Sequence, residues 1–491
     1  MTGSASLTDA HSVGKAKQFA RNSFWLAVST TSVVLIGAVY RPMIGRILGP
    51  TEYGQYSFIQ TYVTYFLVIA FFGVRSVVTR EIGRDPTTAR AFIDAAYRLR
   101  AITTLIAVAV CCAVGYALQR EQQVTVGIYV LSLSIIFLAI GDLLEGVLVA
   151  LQRSFYVAVA NVVGNLVKLG LGVWALHAGY GLIGVLVAFL PASAITAGLN
   201  WWFVRAQFAS DRSPAPRGPV RYVFRESVPF LVLFMAGKLY AKNDVLFLSL
   251  LRGDMITGLY SAAYVFVDLL ISISNCFAQA AYPMIARLHG SPDNGREEMG
   301  LAESYERLHK HMLLIFLPVS VLLTSLGGEC LGLIFGQRYV SGLFAMRVLV
   351  WVPPLEVSSL VSGIFLSGTY RQGLEARIAT AMMTLNVVWT VSFIVFFGAM
   401  GAAIATVGAS LVNAVVRYIY VKRNIGPARL VDTWLRPLAC AGLMLLGAEA
   451  LSHSLWFWRL FAGLAVYALA LTIVGAYDKV DRRMLLSIVR R

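Results

Sequence analysis

Long apolar stretches separated by short polar loops run the length of the chain, and that alternation restricts the fold more than any motif in it. A helix of about 20 apolar residues crosses a hydrocarbon core of about 30 Å. Fourteen such stretches can be marked, at 22–45, 56–78, 101–119, 126–150, 155–177, 181–204, 228–250, 256–284, 311–327, 342–368, 376–397, 399–421, 435–452 and 456–476. In lipid every backbone N–H and C=O must be satisfied inside the segment, so each stretch is expected to be helical. Composition excludes a water-soluble alternative. With 58% hydrophobic and 13% charged residues among 491, and a mean hydropathy of +0.72, there is too little polar surface to cover a globule. The expectation is an all-α polytopic membrane protein of about 14 transmembrane helices.

A formal net charge of +16 could suit nucleic acid, but the placement of the charge suits a bilayer. With the N-terminus cytoplasmic, 27 of the 41 Lys and Arg fall on the cytoplasmic side, 4 fall outside and 10 fall within the marked spans. This is the positive-inside pattern, and it predicts a multi-pass protein of the cytoplasmic (inner) cell membrane. An even number of spans returns the C-terminus, with Lys479, Arg482, Arg483, Arg490 and Arg491, to the cytoplasm. The basic residues there meet anionic lipids, and no nucleic-acid partner is expected. The first span carries Arg41 and has no small-residue cleavage site after it, so it is expected to stay in the mature protein. The five cysteines, Cys111, Cys112, Cys276, Cys330 and Cys440, lie in or beside apolar spans without ligand spacing. They read as small buried residues.

One phrase is written twice. Gly49-Pro-Thr-Glu-Tyr-Gly54-Gln-Tyr56-Ser57 and Gly253-Asp-Met-Ile-Thr-Gly258-Leu-Tyr260-Ser261 share G-x4-G-x-Y-S at a constant offset of 204, each between two apolar spans. A second pair, G-x2-G-x3-A at Gly181 and Gly398, recurs at an offset of 217, and Arg153 corresponds to Arg371 at 218. Spans one to six thus pair in order with spans seven to twelve, and six being even, the two copies share one orientation. The expected organisation is a cytoplasmic tail over 1–21, a first six-helix lobe over 22–205, a Pro- and Arg-rich cytoplasmic linker over 206–226, a second lobe over 227–422, and a terminal hairpin with a basic tail over 423–491. The mixed-charge loop 288–310 reads as an amphipathic segment at the headgroups.

The residues Asn22-Ser-Phe-Trp25, Arg46-Ile-Leu-Gly-Pro-Thr-Glu-Tyr-Gly-Gln-Tyr-Ser57, and Phe72-Gly73 with Arg80-Glu-Ile-Gly-Arg84 resemble the polysaccharide-transport branch of the multidrug/oligosaccharidyl-lipid/polysaccharide superfamily, the O-antigen and exopolysaccharide flippases. The resemblance is strongest over 20–90, is supported by the repeat through 421, and rests on the extra pair of spans beyond that. It implies two six-helix lobes around a cavity opened alternately to either side, and a lipid-linked, polyprenyl-diphosphate-linked oligosaccharide as cargo. Polymerases and glycosyltransferases of the same pathway are the implied partners. The alternatives within the superfamily are a lipid-linked peptidoglycan-precursor flippase and an ion-coupled multidrug exporter, the latter disfavoured by the excess of Lys and Arg. A pathway polymerase or glycosyltransferase is disfavoured by the absence of a large soluble loop.

Charges inside spans cost roughly 2.5–3.5 kcal/mol each on insertion scales, so they face a wet cavity or a partner. Arg41, Arg75, Lys168, Lys238, Lys242 and Arg347 are the candidate cavity cations for a diphosphate. Lys238 and Lys242, four apart, should share one helix face, and Lys168 extends a polar stripe through Asn161 and Asn165. Arg41 could instead snorkel to the outer interface, and Arg75 and Arg347 lie near span ends, where anchoring competes. Asp244, Asp268 and Glu356 are candidates for ion coupling or charge pairing. Asp142 and Glu145 read as structural partners, and Arg377, Arg417, Arg436 and Arg459 as interfacial anchors. Pro353-Pro354, Pro191 and Pro283 are expected to kink their helices. Trp25, Trp201, Trp202, Trp434, Trp456 and Trp458 fit an aromatic belt. No nucleotide-binding, nucleophile or metal signature is present, so no cofactor and no enzyme activity are expected.

Overall fold

The computed structural model describes residues 4–208, 219–289, 297–369, 371–426, 429–451 and 455–473. All regular elements among them are helical, and they group into two compact units, Met1–Ser249 and Leu250–Arg491. The linker 206–226, the loop 288–310 and the C-terminal tail lie wholly or partly outside the described residues.

The first unit contains α1 (Ser4–Phe71), α2 (Val74–Arg84), α3 (Ala89–Ala117), α4 (Gln122–Ala150), α5 (Ser154–His177), α6 (Gly181–Val187), α7 (Phe189–Gln207) and most of α8 (Val220–Arg252). Its core brings Val74, Val78 and Ile82 of α2 against Leu143, Leu144 and Val147 of α4. The second unit contains α9 (Asp254–His289), α10 (Glu297–Ile334), α11 (Leu343–Leu349), α12 (Val352–Gly368), α13 (Gln372–Asn424), α14 (Leu430–Ala450) and α15 (Trp456–Ile473). Tyr305, Phe316, Phe365 and Val421 anchor its main core, and a second cluster joins Leu313 and Leu317 of α10 to Met444 of α14 and Tyr467 of α15. Large apolar side chains also line the outside, Leu105, Phe396 and Leu446 among them, each at least two-thirds exposed. Patches of that kind are untenable in water and ordinary against lipid tails.

Ten helices among the described residues are long and apolar enough to cross a membrane, two of them 51 and 52 residues long. Those two join expected spans end to end: α1 is broken at Gly49 and α13 at Gly398, each helix-breaking in its φ/ψ. The charged α8 and the shorter α14 carry two further expected spans without being among the ten.

The duplicated phrases have duplicated backbones. Gly49 and Gly253 both take a positive φ, of 83° and 87°, and Gly181 and Gly398 take 55° and 58°. These are conformations that L side chains rarely adopt, so the glycines are required where the chain breaks one helix and starts the next. The tyrosines of the first phrase, Tyr56 and Tyr260, are both buried. Arg153 and Arg371 each stand as the N-cap of the following helix, with φ/ψ of −112°/40° and −101°/34°.

The division between the units falls within α8, after Ser249, and not at the Pro-rich linker. Side chains explain why most of α8 groups with the first unit. Arg80 of α2 is bonded to Glu226 at 2.8 Å and to Tyr222 at 3.3 Å, Phe224 stacks on Phe72 at 5.3 Å, and Arg120 donates to the Ser249 carbonyl and hydroxyl at 3.2 and 3.0 Å.

Candidate functional site

The first unit holds a half-open cavity of about 400 Å³, lined by residues of α1, α2, α4, α5 and α7, its wall mostly apolar with polar and charged groups set into it. One end is built on α4, where Asp142 and Glu145, three residues apart, project on the same face. Arg75 of α2 donates to both, at 3.1 Å each. Arg100 of α3 donates to the other oxygen of Asp142 at 2.7 Å and to the Ala70 carbonyl at 3.2 Å. That carbonyl is available because α1 ends there: Phe72 and Gly73 turn left-handed, leaving an orphan helix-end acceptor that Arg100 and Thr103 satisfy. A Cβ on Gly146 would lie 2.8 Å from the Arg75 Cγ, so the close approach of α2 to α4 needs glycine at that position.

The other end is built on α5, whose Asn161, Asn165 and Lys168 follow i, i+4, i+7 down one face. Asn161 donates to Ser29 of α1 at 3.2 Å, Asn165 donates to the Asn161 carbonyl at 2.8 Å, and the Lys168 ammonium donates to Asn165 Oδ1 at 2.8 Å. Lys168 also lies 5.2 Å from the centre of the Phe189 ring of α7, a favourable cation–π distance, and the charge of Arg41 bears on it. Gln60, Thr64, Ser193 and Thr196 add uncharged polar groups to the wall.

The two ends differ in charge balance. Arg75 and Arg100 face Asp142 and Glu145, two cations against two carboxylates. Among the described residues Lys168 pairs with no carboxylate, so that end of the cavity is positively charged. Arg75, read as a candidate diphosphate ligand, is therefore already engaged by two carboxylates. Asp142 and Glu145 hold the two arginines, as partners rather than in isolation. Arg100, which lies just before the third marked span, is 2% exposed and was not singled out by its sequence position.

The remaining candidates are not among the residues that line the cavity. Lys238 is exposed on α8 and Lys242 is half-buried. Lys242 has φ −144° and ψ 16°, a kink inside α8, so its side chain swings off the regular helical register that the four-residue spacing assumed. Asp244 is buried and accepts from the Val245 N–H at 2.8 Å, and Arg41 is half-buried. In the second unit Asp268 is half-buried, Glu356 accepts from the Ser410 hydroxyl at 2.8 Å, and Arg347 is exposed, its Nε 3.3 Å from the Thr324 carbonyl.

Two expected anchors are instead buried in ion pairs. Arg417 is bonded to Glu375 and, at 2.9 Å, to Asn413. Arg459 bonds Glu329 at 2.8 Å, Glu449 at 3.3 Å and the Ser325 hydroxyl at 2.7 Å. Arg417 finds its carboxylate on the other side of the Gly398 break in α13, and Arg459 finds its own on α10 and α14, which offsets the desolvation that would otherwise drive them to the headgroups. Arg377 and Arg436 are exposed.

The sequence profile described as "Polysaccharide biosynthesis protein" matches residues 19–289, more than half of the 491-residue chain. A probable low-salt glycan biosynthesis flippase, Agl15 of Haloferax volcanii, is 21% identical over 376 residues, 77% of this chain and 78% of that protein. Among solved structures, the inward-closed Lipid II flippase MurJ superposes with a TM-score of 0.75 at 14% identity, covering 91% of this chain and 97% of that one. An outward-facing multidrug resistance MATE family transporter of the MOP superfamily gives 0.60 at 17% identity, covering 83% and 95%. At these identities the structures establish the fold alone, the polytopic helical fold that they share. With the profile matching more than half of the chain, including every residue that lines the cavity, the chain belongs to the polysaccharide biosynthesis protein family.

Proposed function

We propose that this protein is a flippase that carries a lipid-linked, polyprenyl-diphosphate oligosaccharide across the cytoplasmic membrane for polysaccharide assembly, by alternating access and without catalysis. The observation that carries the reading is a cavity with charged and polar groups in its wall inside the first unit of a polysaccharide biosynthesis protein. Such groups are too costly to hold in hydrocarbon without a role in cargo passage or in the architecture around it. Agl15 is named as a glycan biosynthesis flippase, which supports the same cargo class here.

Fourteen crossings with both termini in the cytoplasm fit the distribution of Lys and Arg. Of the candidate cations, Arg41, Lys238 and Lys242 are assigned to the diphosphate. Asp244, Asp268 and Glu356 are assigned to charge pairing or ion coupling. Polymerases and glycosyltransferases that consume the glycan on the far side are the proposed pathway partners.

Depletion of the protein in cells making radiolabelled lipid-linked glycan tests this directly. The labelled lipid should accumulate unpolymerised and protected from a membrane-impermeant periodate reagent, and re-expression should restore its exposure. Unchanged exposure after depletion would refute the proposal.

A further inference from the structure

Lys168 is the cavity cation that no carboxylate neutralises among the described residues, and the charge of Arg41 adds to its own. At about 400 Å³ the cavity is near the small end of the roughly 300–1,000 Å³ range of ligand sites, room for one sugar ring or two and not for a whole oligosaccharide. An ammonium has three N–H donors, of which Lys168 gives one to Asn165, and the other two have no protein acceptor among the described residues. Around it stand hydroxyl and amide groups able both to donate and to accept: Asn161, Asn165, Gln60, Thr64 and Thr196. Phe189 lies beside Lys168 and offers an apolar face to a ring.

We infer that this cavity receives one acidic sugar residue of the cargo, a uronic acid or similar carboxylated pyranose, with the carboxylate on Lys168 and the hydroxyls on the amide and hydroxyl wall. The inference rests on the flippase reading and adds the class of glycan. The Arg75–Asp142–Arg100–Glu145 quartet is internally neutral and serves as the closed end of the cavity. That leaves Lys168 as the group that distinguishes an acidic ring from a neutral one. A charge-assisted contact is about twice as strong as a neutral one, which makes a discrimination of at least about tenfold reasonable for a partly dehydrated site.

The experiment uses the full-length protein in lipid nanodiscs, titrated calorimetrically with D-glucuronate, D-glucose and acetate. D-glucuronate should bind at least about tenfold more tightly than D-glucose or acetate, and Lys168→Gln should bring D-glucuronate down to the affinity of D-glucose. Equal binding of glucuronate and glucose would overturn the acidic-sugar assignment. Equal binding of glucuronate and acetate would reduce the cavity to an anion site and overturn it too, as would no binding of glucuronate. If the variant fails to fold, the ranking on the parent protein decides alone. A second arm separates this inference from the flippase reading by comparing lipid-diphosphate disaccharides that end in glucuronate or in glucose, in proteoliposomes. Faster movement of the acidic lipid supports the inference, and equal movement of both refutes it while leaving the flippase standing. Movement of neither refutes both.

Discussion

Replacing Asp142 with alanine should destabilise the first unit more than replacing Asp142 and Arg100 together. Asp142 is bonded to Arg100 at 2.7 Å and to Arg75 at 3.1 Å, and the Arg100 side chain is only 2% exposed. Removing the carboxylate leaves the Arg100 guanidinium buried with the Ala70 carbonyl as its remaining acceptor, while Arg75 keeps Glu145. Breaking a buried pair by deleting one partner costs about 3–5 kcal/mol. In a bilayer the unfolded helices also find partners, which lowers such values, so about 3 kcal/mol is expected for Asp142→Ala.

In the double variant Arg100→Met, Asp142→Ala both charges leave, methionine refills much of the apolar stem volume, and the Arg75–Glu145 pair persists. Its loss should be about 1 kcal/mol, about 2 kcal/mol less than that of Asp142→Ala alone. Reversible unfolding in mixed micelles, followed by tryptophan fluorescence, measures all four members of the cycle. A double variant as unstable as Asp142→Ala, or an Asp142→Ala protein within about 1 kcal/mol of the parent, would refute the electrostatic account of this end of the cavity.

Gly49→Ala and Gly253→Ala should each lose about 1–3 kcal/mol, because both glycines hold positive φ; Gly237→Ala, which has open space around its Cβ position and a helical setting, serves as the near-neutral control in the same unfolding measurement. Arg459→Met should lose about 2 kcal/mol and loosen α14 and α15 from α10, seen as faster cross-linking of cysteines placed on α15 to a membrane-soluble reagent, since Arg459 holds Glu329, Glu449 and Ser325 together. Asp85, in the turn between α2 and α3, accepts from the Thr87 hydroxyl at 2.6 Å and the Thr87 N–H at 3.0 Å, and these bonds hold its carboxyl below the ordinary value of 3.8. A depressed folded value stabilises the turn above the unfolded pKa and loses that contribution as pH falls through the folded one. Amide exchange at Thr87 should therefore be normalised-slow at neutral pH and accelerate, relative to Asp85→Asn, only well into the acid range.

Class and repeat were legible because both rest on backbone physics that leaves a strong trace in sequence. Apolar length dictates helices, and glycines that must take positive φ are hard to replace, so Gly49 and Gly253, and likewise Gly181 and Gly398, mark equivalent breaks in the structure. The Asn161–Asn165–Lys168 stripe was legible for a similar reason, since helical spacing alone brings the three together. What the sequence concealed were pairings between helices distant in the chain. Arg100 sits just before a marked span, where nothing in its spacing singles it out, and only the approach of α3 to α4 turns it inward to Asp142. Arg417 and Arg459 read as anchors for the same reason, since Glu375 and Glu329 lie 42 and 130 residues away along the chain. The Lys238 and Lys242 register was misjudged because spacing assumes a continuous helix, and nothing local to α8 announces the break at Lys242. The repeat also shows where its own guidance stops. The corresponding glycines share conformations, whereas the ion pairs differ among the described residues: Arg75, Arg100, Asp142 and Glu145 join in the first unit, and Arg417 with Glu375 and Arg459 with Glu329 and Glu449 in the second.

Cargo movement is tested on purified protein alone. Proteoliposomes loaded with a fluorescent polyprenyl-diphosphate oligosaccharide in the inner leaflet would be followed by quenching with an impermeant reagent added outside, against liposomes without protein. Protein-dependent quenching of the inner-leaflet pool is expected, slowed by Lys242→Ala and unaffected by substitution of the exposed Arg377. Quenching limited to the outer-leaflet pool, whatever proton, sodium or voltage gradient is imposed, would contradict cargo movement.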